Sequence, residues 1–189
     1  MTHVFDPEIY ILSRFDVIQD EVMEKISKLR YYSGAAWDTG VDNYKMKNDE
    51  YKRFWVNKWK DHPKWLSHVI MAHGMWEQPG MELPKIINKI VKEMNWGCVF
   101  VGYSLLRSGG VIKPHRDEGV SEGWDNVWHL GISIPPDNCY ITVDGKKMQW
   151  EEGRILKFDD SMEHSVVNNS EFDRIIIYMK FSKGADASS

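Results

Sequence analysis

The chain has 189 residues, 42% hydrophobic and 28% charged, long enough for one domain with a sizeable core and too short for two ordinary ones. Its net charge of −4 and pI near 6.0 give no overall basic field, which argues against nucleic acid or an anionic membrane as partner and for a small-molecule, peptide or protein substrate. Cys98 and Cys139 are the only cysteines; they are too few for a disulfide framework and read as small buried apolar groups in a reducing compartment. No signal peptide is read in the N-terminal stretch and no apolar run reaches membrane-spanning length. The expectation is a single cytoplasmic domain over residues 1–189.

Residues 1–15 read as a strand or extended arm ending near Arg14. From Asp16, the apolar positions Ile18, Val22, Ile26 and Leu29 recur at helical spacing, and Asp16 with Gln19 resembles a capping box, so a helix through about Arg30 is expected. Residues 31–50 carry Gly34, Gly40 and several Asp and Asn without a sustained period, and read as a loop with room for one strand. The segment 44–65 interleaves Lys45, Lys47, Lys52, Arg53, Lys58, Lys60 and Lys64 with Tyr44, Tyr51, Phe54, Trp55, Trp59 and Trp65. Such a pattern suits a single-stranded nucleic acid groove, but Asp49, Glu50 and Asp61 interrupt it, and a solvated helical face or the wall of a substrate pocket explains it as well. Asp61 and Pro63 predict a helix through about His73, stopped at Gly74. A further helix opens at Leu83-Pro84 with the stripe Ile86, Ile87, Ile90, Val91 and Met94.

After Gly97 the period changes from helical to alternating. Eight short runs rich in β-branched and aromatic residues follow, from "CVFVGYSLLR" to "DRIIIYMKF", separated by Gly, Pro, Asn and Asp clusters, with a hairpin signal at Asp144-Gly145. The expected fold is α+β but mainly β: helical support over residues 1–97, a jelly-roll, cupin-like double-stranded β-helix core over 98–181, and a frayed tail at 182–189.

Within that core, "IKPHRDEG" places His115 and Asp117 two residues apart, and "FDDSMEHSVVNN" supplies His164. Residues i and i+2 share a strand face, so His115 and Asp117 can offer an imidazole nitrogen and a carboxylate oxygen to one ion. Two histidines and one carboxylate form the ligand set of a mononuclear non-haem Fe(II) oxygenase, leaving open positions for a chelating cosubstrate and O2. The blander alternative, ordinary polar residues at strand ends, stays open, because a His-x-Asp pair recurs by chance. Glu118 and Glu163 lie near, while Asp159 and Asp160 read as turn or cap residues. Arg174 opens a strand that is apolar on both faces, so its guanidinium needs an anion: the distal carboxylate of a cosubstrate such as 2-oxoglutarate, or a structural acid such as Asp160 or Glu152.

Together "YSLLRSGGVIKPHRD", "WHLGISIP" and "NCYITVDGKKMQWEEGRILKFDDSMEHSVVNNSEFDR" resemble the aspartyl/asparaginyl β-hydroxylase family of Fe(II)- and 2-oxoglutarate-dependent oxygenases. The resemblance covers about residues 98–181. It implies a dioxygenase that hydroxylates an unactivated C–H bond with Fe(II), 2-oxoglutarate and O2. His115 and His164 would bind the iron, Arg174 the distal carboxylate, and Ser104 and His129 would line the cosubstrate site. No catalytic side chain is expected beyond the metal centre, and Trp124 and Trp128 are candidate pocket walls. Asp117 would complete the triad as in bacterial or viral members, whereas the animal peptide hydroxylases lack an acidic third ligand. Val127 stands where the family carries arginine and the 118–126 stretch is longer, so the substrate, whether a peptide Asp or Asn, a free amino acid or a lipid acyl chain, is left open. The rival reading is a non-catalytic jelly-roll binding module that uses residues 44–65.

Overall fold

The computed structural model describes residues 6–32, 64–72, 75–76, 84–93, 98–117 and 126–181. Asp6 caps the first helix, α1 (Pro7–Leu12), its carboxylate accepting the Glu8 and Ile9 amides at 2.9 and 3.1 Å. An Asp cap followed by Pro at the first helical position explains why a helix replaces the expected extended arm. The second, α2 (Phe15–Tyr32), begins ahead of Asp16, which therefore lies in its first turn. It buries Ile18, Val22 and Ile26 on one face. As expected, α3 (Lys85–Glu93) follows Pro84, and its first amide, Lys85 N–H, donates to Glu21 of α2 at 2.7 Å.

The helix expected to end near His73 is overturned. Residues Trp65–Ala72 form strand β1, joined by β2 (Met75–Trp76); the caps expected at Asp61 and Pro63 lie outside the described residues, as does most of the 44–65 segment. "WLSHVIMA" is rich in residues that fit a pleated surface, and β1 pairs antiparallel with the next long strand, Cys98–Leu106, from Trp65↔Leu106 to Met71↔Val101. All eight later runs are strands: β3 (Cys98–Leu106), β4 (Gly110–His115), β5 (Asn126–Ser133), β6 (Cys139–Val143), β7 (Lys146–Met148), β8 (Ile155–Phe158), β9 (His164–Asn168) and β10 (Arg174–Phe181). Asp144 and Gly145 turn the β6–β7 hairpin with φ of 47° and 73°, the double left-handed conformation that such a turn needs.

The strands form two sheets, ordered β2-β1-β3-β10-β5-β8 and β4-β9-β6-β7. From β3 onward the chain crosses repeatedly between them, which makes the architecture a double-stranded β-helix. Alternation along β10 serves two cores. Ile175, Ile177, Met179 and Phe181 join Ile11, Ile18, Val22, Ile26 and Ile87 beneath the helices. Ile176 faces the other sheet with Leu106, Ile112, Cys139, Ile141, Trp150 and Val166. Each fully buried aliphatic contributes roughly 1.5–3 kcal/mol of transfer free energy, so both faces of the larger sheet are anchored and the barrel interior can carry polar groups at defined positions.

A candidate metal and dicarboxylate centre

His115, Asp117 and His164 each offer a ligand atom, and these atoms lie within 4.8 Å of one another. The two histidines end β4 and begin β9, and they face each other as partners across that strand pair. Pro114 is tolerated because β4 is an edge strand whose register shifts between Ile112 and His115. The imidazole centroids are 4.2 Å apart. Each Nδ1 lies on a backbone carbonyl, His115 on Lys113 at 2.8 Å and His164 on Met162 at 2.9 Å. A carbonyl only accepts, so the proton of each neutral ring is on Nδ1 and the Nε2 lone pair faces the site. Burial, followed by the charge of His115, lowers the pKa of His164 against the opposing Met162 contact, which favours that neutral form.

Asp117 Oδ1 lies 3.9 Å from His115 Nε2, while its other oxygen, Oδ2, accepts from Lys180 at 2.6 Å. Lys180 is 3% exposed and also pairs with buried Asp160. The backbone joins in, Asp117 N–H donating to Asp160 O at 3.1 Å. Burial would raise the Asp117 pKa, but the Lys180 ammonium outweighs it and keeps the carboxylate ionised. Asp160 is pushed up to about 7, chiefly by burial, with Asp117 adding to the shift. Of the two acids read as turn residues, Asp159 accepts the Ser161 amide at 2.9 Å as expected, whereas Asp160 serves the ion-pair cluster instead.

Deeper between the sheets sits Arg174, 1% exposed. It donates through Nη2 to Ser104 Oγ at 2.9 Å and lies 4.7 Å above the Trp150 ring. Its Nε has no hydrogen-bond partner. Neither acid weighed as a structural counter-ion takes that place, since Asp160 pairs with Lys180 and Glu152 accepts the Ile134 amide at 3.0 Å. Among the described residues no carboxylate pairs with Arg174, and burial pulls its pKa down to about 10. Ser104 Oγ also accepts from Trp65 Nε1 at 2.9 Å. His129 is buried beside Phe158, Tyr178 and Trp150, with Trp150 Nε1 donating to its Nδ1 at 3.2 Å. Burial first, then the charges of Arg174, His164 and Lys180, hold its pKa well below the ordinary histidine range.

The predicted residues thus fall into two neighbouring groups, His115, Asp117 and His164, and Arg174, Ser104 and His129. His129 and Arg174 are drawn from strands adjacent in one sheet, and Tyr178, two residues from Lys180 on β10, touches the His129 ring. Trp128 is not brought to either group: it lies on the opposite face of β5 from His129, packed on Phe181 and under Lys157. Trp124 lies outside the described residues. Sequence reasoning missed Lys180 and Trp150, and it named Trp65 only among the aromatics of 44–65 that could wall a substrate pocket, not as a partner of Ser104. Lys180 was legible in principle, because Arg174, Ile176, Tyr178 and Lys180 alternate onto one strand face.

The sequence model of the family described as Aspartyl/Asparaginyl beta-hydroxylase matches residues 13–183. An uncharacterized protein of Acanthamoeba polyphaga mimivirus is 24% identical over 84% of this chain and 57% of its own length. The Mus musculus aspartyl/asparaginyl beta-hydroxylase is 35% identical over 40% of this chain and 10% of that protein. The ornithine lipid ester-linked acyl 2-hydroxylase of Rhizobium tropici is 37% identical over 46% of this chain and 31% of that protein. The chain therefore spans at most 57% of the length of these relatives. A solved 2OG-Fe(II) oxygenase family oxidoreductase from Burkholderia pseudomallei shares the fold, with a TM-score of 0.52 at 11% identity over 63% of this chain and 68% of that one. With a match that runs from the second helix to the end of the last strand, the chain belongs to the aspartyl/asparaginyl β-hydroxylase family.

Proposed function

We propose that the protein is an Fe(II)- and 2-oxoglutarate-dependent hydroxylase acting on an unactivated C–H bond. The observation that carries this reading is Arg174, a buried guanidinium with no carboxylate partner among the described residues, placed beside a two-histidine, one-carboxylate cluster. Burying a cation without a counter-ion is costly, and an anionic ligand relieves that cost. A dicarboxylate with a metal-chelating end suits both groups at once.

The donor set fits the ion as well. His115 and His164 would hold it through Nε2, each ring oriented by its Nδ1–H bond to a backbone carbonyl. Asp117 would contribute Oδ1, its second oxygen being engaged by Lys180. Two imidazoles and one carboxylate on one side of an ion suit Fe(II) and leave coordination positions for cosubstrate and O2. Bound there, the iron and 2-oxoglutarate supply the oxidising power for hydroxylation, with succinate and CO2 as coproducts. The chain's own share is orientation and exclusion of water. Arg174 and Ser104 bind and align the distal carboxylate, and His129, kept neutral by burial, adds an N–H donor. Ile112 and Val166, buried between the sheets, and Phe158, against the His129 and His164 rings, give the inner side of the site an apolar surround.

The test is succinate release from 2-oxoglutarate with Fe(II), screened over peptides containing Asp or Asn, free amino acids and acyl lipids. Anaerobic Fe(II) plus 2-oxoglutarate should give a weak visible charge-transfer band that His164→Ala abolishes. A band indifferent to that substitution, or protein that binds neither component, refutes the proposal. The binding-module alternative gains no support from the described part of residues 44–65, where Lys64 donates to the Ser108 carbonyl and Trp65 turns inward to Ser104.

A further inference from the structure

We propose that Trp150, with Trp65 as its counterpart, is a positioning residue that sets the hydrogen-bond polarity of the cosubstrate pocket, making it accept a carboxylate and reject a carboxamide. The inference rests on the reading of Arg174, Ser104 and His129 as the cosubstrate site. An indole nitrogen is a donor and nothing else. Trp150 Nε1 lies 3.2 Å from His129 Nδ1, so that contact requires a lone pair on Nδ1, and the proton of the neutral ring must sit on Nε2. A ring protonated on both nitrogens would set two N–H groups against each other, so the same contact also opposes the charged form. Trp150 and His129 are both buried, and their rings lie nearly parallel, 18° apart in plane.

Trp65 does the same for Ser104. Its Nε1–H and the Arg174 Nη2–H both donate to Ser104 Oγ, each at 2.9 Å. Two donors fill both lone pairs of a hydroxyl oxygen, and the remaining function of that group is to donate its own proton. The indole of Trp150 also faces the Arg174 guanidinium at 4.7 Å, fixing the plane of the third group. Arg174, Ser104 and His129 therefore present donors to the pocket, and none of the three offers it an acceptor. A carboxylate satisfies such a set; a carboxamide brings two N–H groups that find nothing to accept them, and the cost of leaving polar groups unpaired is what discriminates.

The experiment uses the full chain loaded with Co(II), which permits equilibrium binding without turnover. Trp150→Phe keeps a ring beneath Arg174 and removes the N–H. Calorimetry should show 2-oxoglutarate bound about tenfold more weakly, a change of about 1.4 kcal/mol, with Co(II) affinity unchanged. The ratio of 2-oxoglutarate to 2-oxoglutaramate affinity should fall, because a His129 ring freed to carry its proton on Nδ1 offers the amide an acceptor. His129→Ala should cost as much as Trp150→Phe, and the double variant no more than His129→Ala alone. Wild-type affinity in Trp150→Phe, an unchanged discrimination ratio, or multiplying losses in the double variant overturns the proposal. Trp65→Phe, paired with Ser104→Ala in the same way, decides the matter if the Trp150 variant does not fold. Wild-type protein that binds Co(II) but not 2-oxoglutarate overturns the cosubstrate reading itself, a result distinct from either failure above.

Discussion

Replacing Arg174 with methionine should stabilise the ligand-free protein while removing its affinity for 2-oxoglutarate. The guanidinium is fully enclosed, and burial pulls its pKa from 12.5 to about 10, equivalent to a cost of about 3 kcal/mol for keeping it charged in the fold. The sign follows from the direction of the shift. Below pH 10 the group is protonated in both folded and unfolded chains and the cost is felt in full; it fades only as the pH rises through 10. Methionine has a similar length and no charge to desolvate. It forfeits the hydrogen bond to Ser104 and the contact with Trp150, together about 1–2 kcal/mol. Ser104 keeps its bond from Trp65. The net gain is about 1–2 kcal/mol, which for a domain of this size raises the melting temperature by roughly 2–8 °C. Thermal denaturation followed by circular dichroism at pH 7.5, without metal or 2-oxoglutarate, measures it, and calorimetry on the Co(II)-loaded protein measures the lost ligand. A melting temperature several degrees below wild type would show that Arg174 is held by a structural acid and does not await an anion.

Three further outcomes are expected. Co(II) at a hundredfold excess over its dissociation constant should stabilise the protein by about 2.7 kcal/mol, and differential scanning fluorimetry should find that shift missing in His115→Ala and His164→Ala. Asp160, raised to about 7, holds a proton in the fold that it has lost in the unfolded chain between about pH 4 and 7. Stability of the metal-free protein should therefore decline with rising pH across that window, by up to about 1.4 kcal/mol per pH unit for one proton; urea titrations that show the same slope in Asp160→Asn would refute it. Gly131→Ala should lower the urea midpoint by the equivalent of about 1–3 kcal/mol, because a Cβ there would overlap the Glu151 carbonyl oxygen, a backbone atom that cannot turn aside; an unchanged midpoint would show that the 151–154 turn yields.

The eight core strands were legible because most are short runs rich in β-branched and aromatic residues, separated by Gly, Pro, Asn and Asp clusters, and the hairpin at Asp144-Gly145 demands left-handed residues that few others supply. Strand β1 was not, because the punctuation at Asp61, Pro63 and Gly74 suits a helix and the decision for a strand comes from pairing with β3. Local propensity has no access to that partner. Likewise, Asp6-Pro7 carried a helix-start signal that the mixed composition after it obscured. At the site, His115, Asp117, His164 and Arg174 could be read from residue type and spacing. Of their supports, Lys180 could have been found from its alternation with Arg174 along β10, but the pairing of Trp150 with His129 and of Trp65 with Ser104 could not, since an indole looks the same in sequence whether it fills a core or orients a polar group.

Strand β10 lies between β3 and β5, the last of the described strands inserted between two that precede it. Its first residue is Arg174 and its penultimate one Lys180. The Arg174 contact with Ser104 and the Lys180 pairing with Asp117 therefore wait for a distant segment to return, an ordering that is slow because closing long loops precedes the reward of pairing. A nascent or partly folded chain can form the hairpin at β6–β7 early, yet Arg174 and Lys180 reach Ser104 and Asp117 only once β10 has paired with both its neighbours.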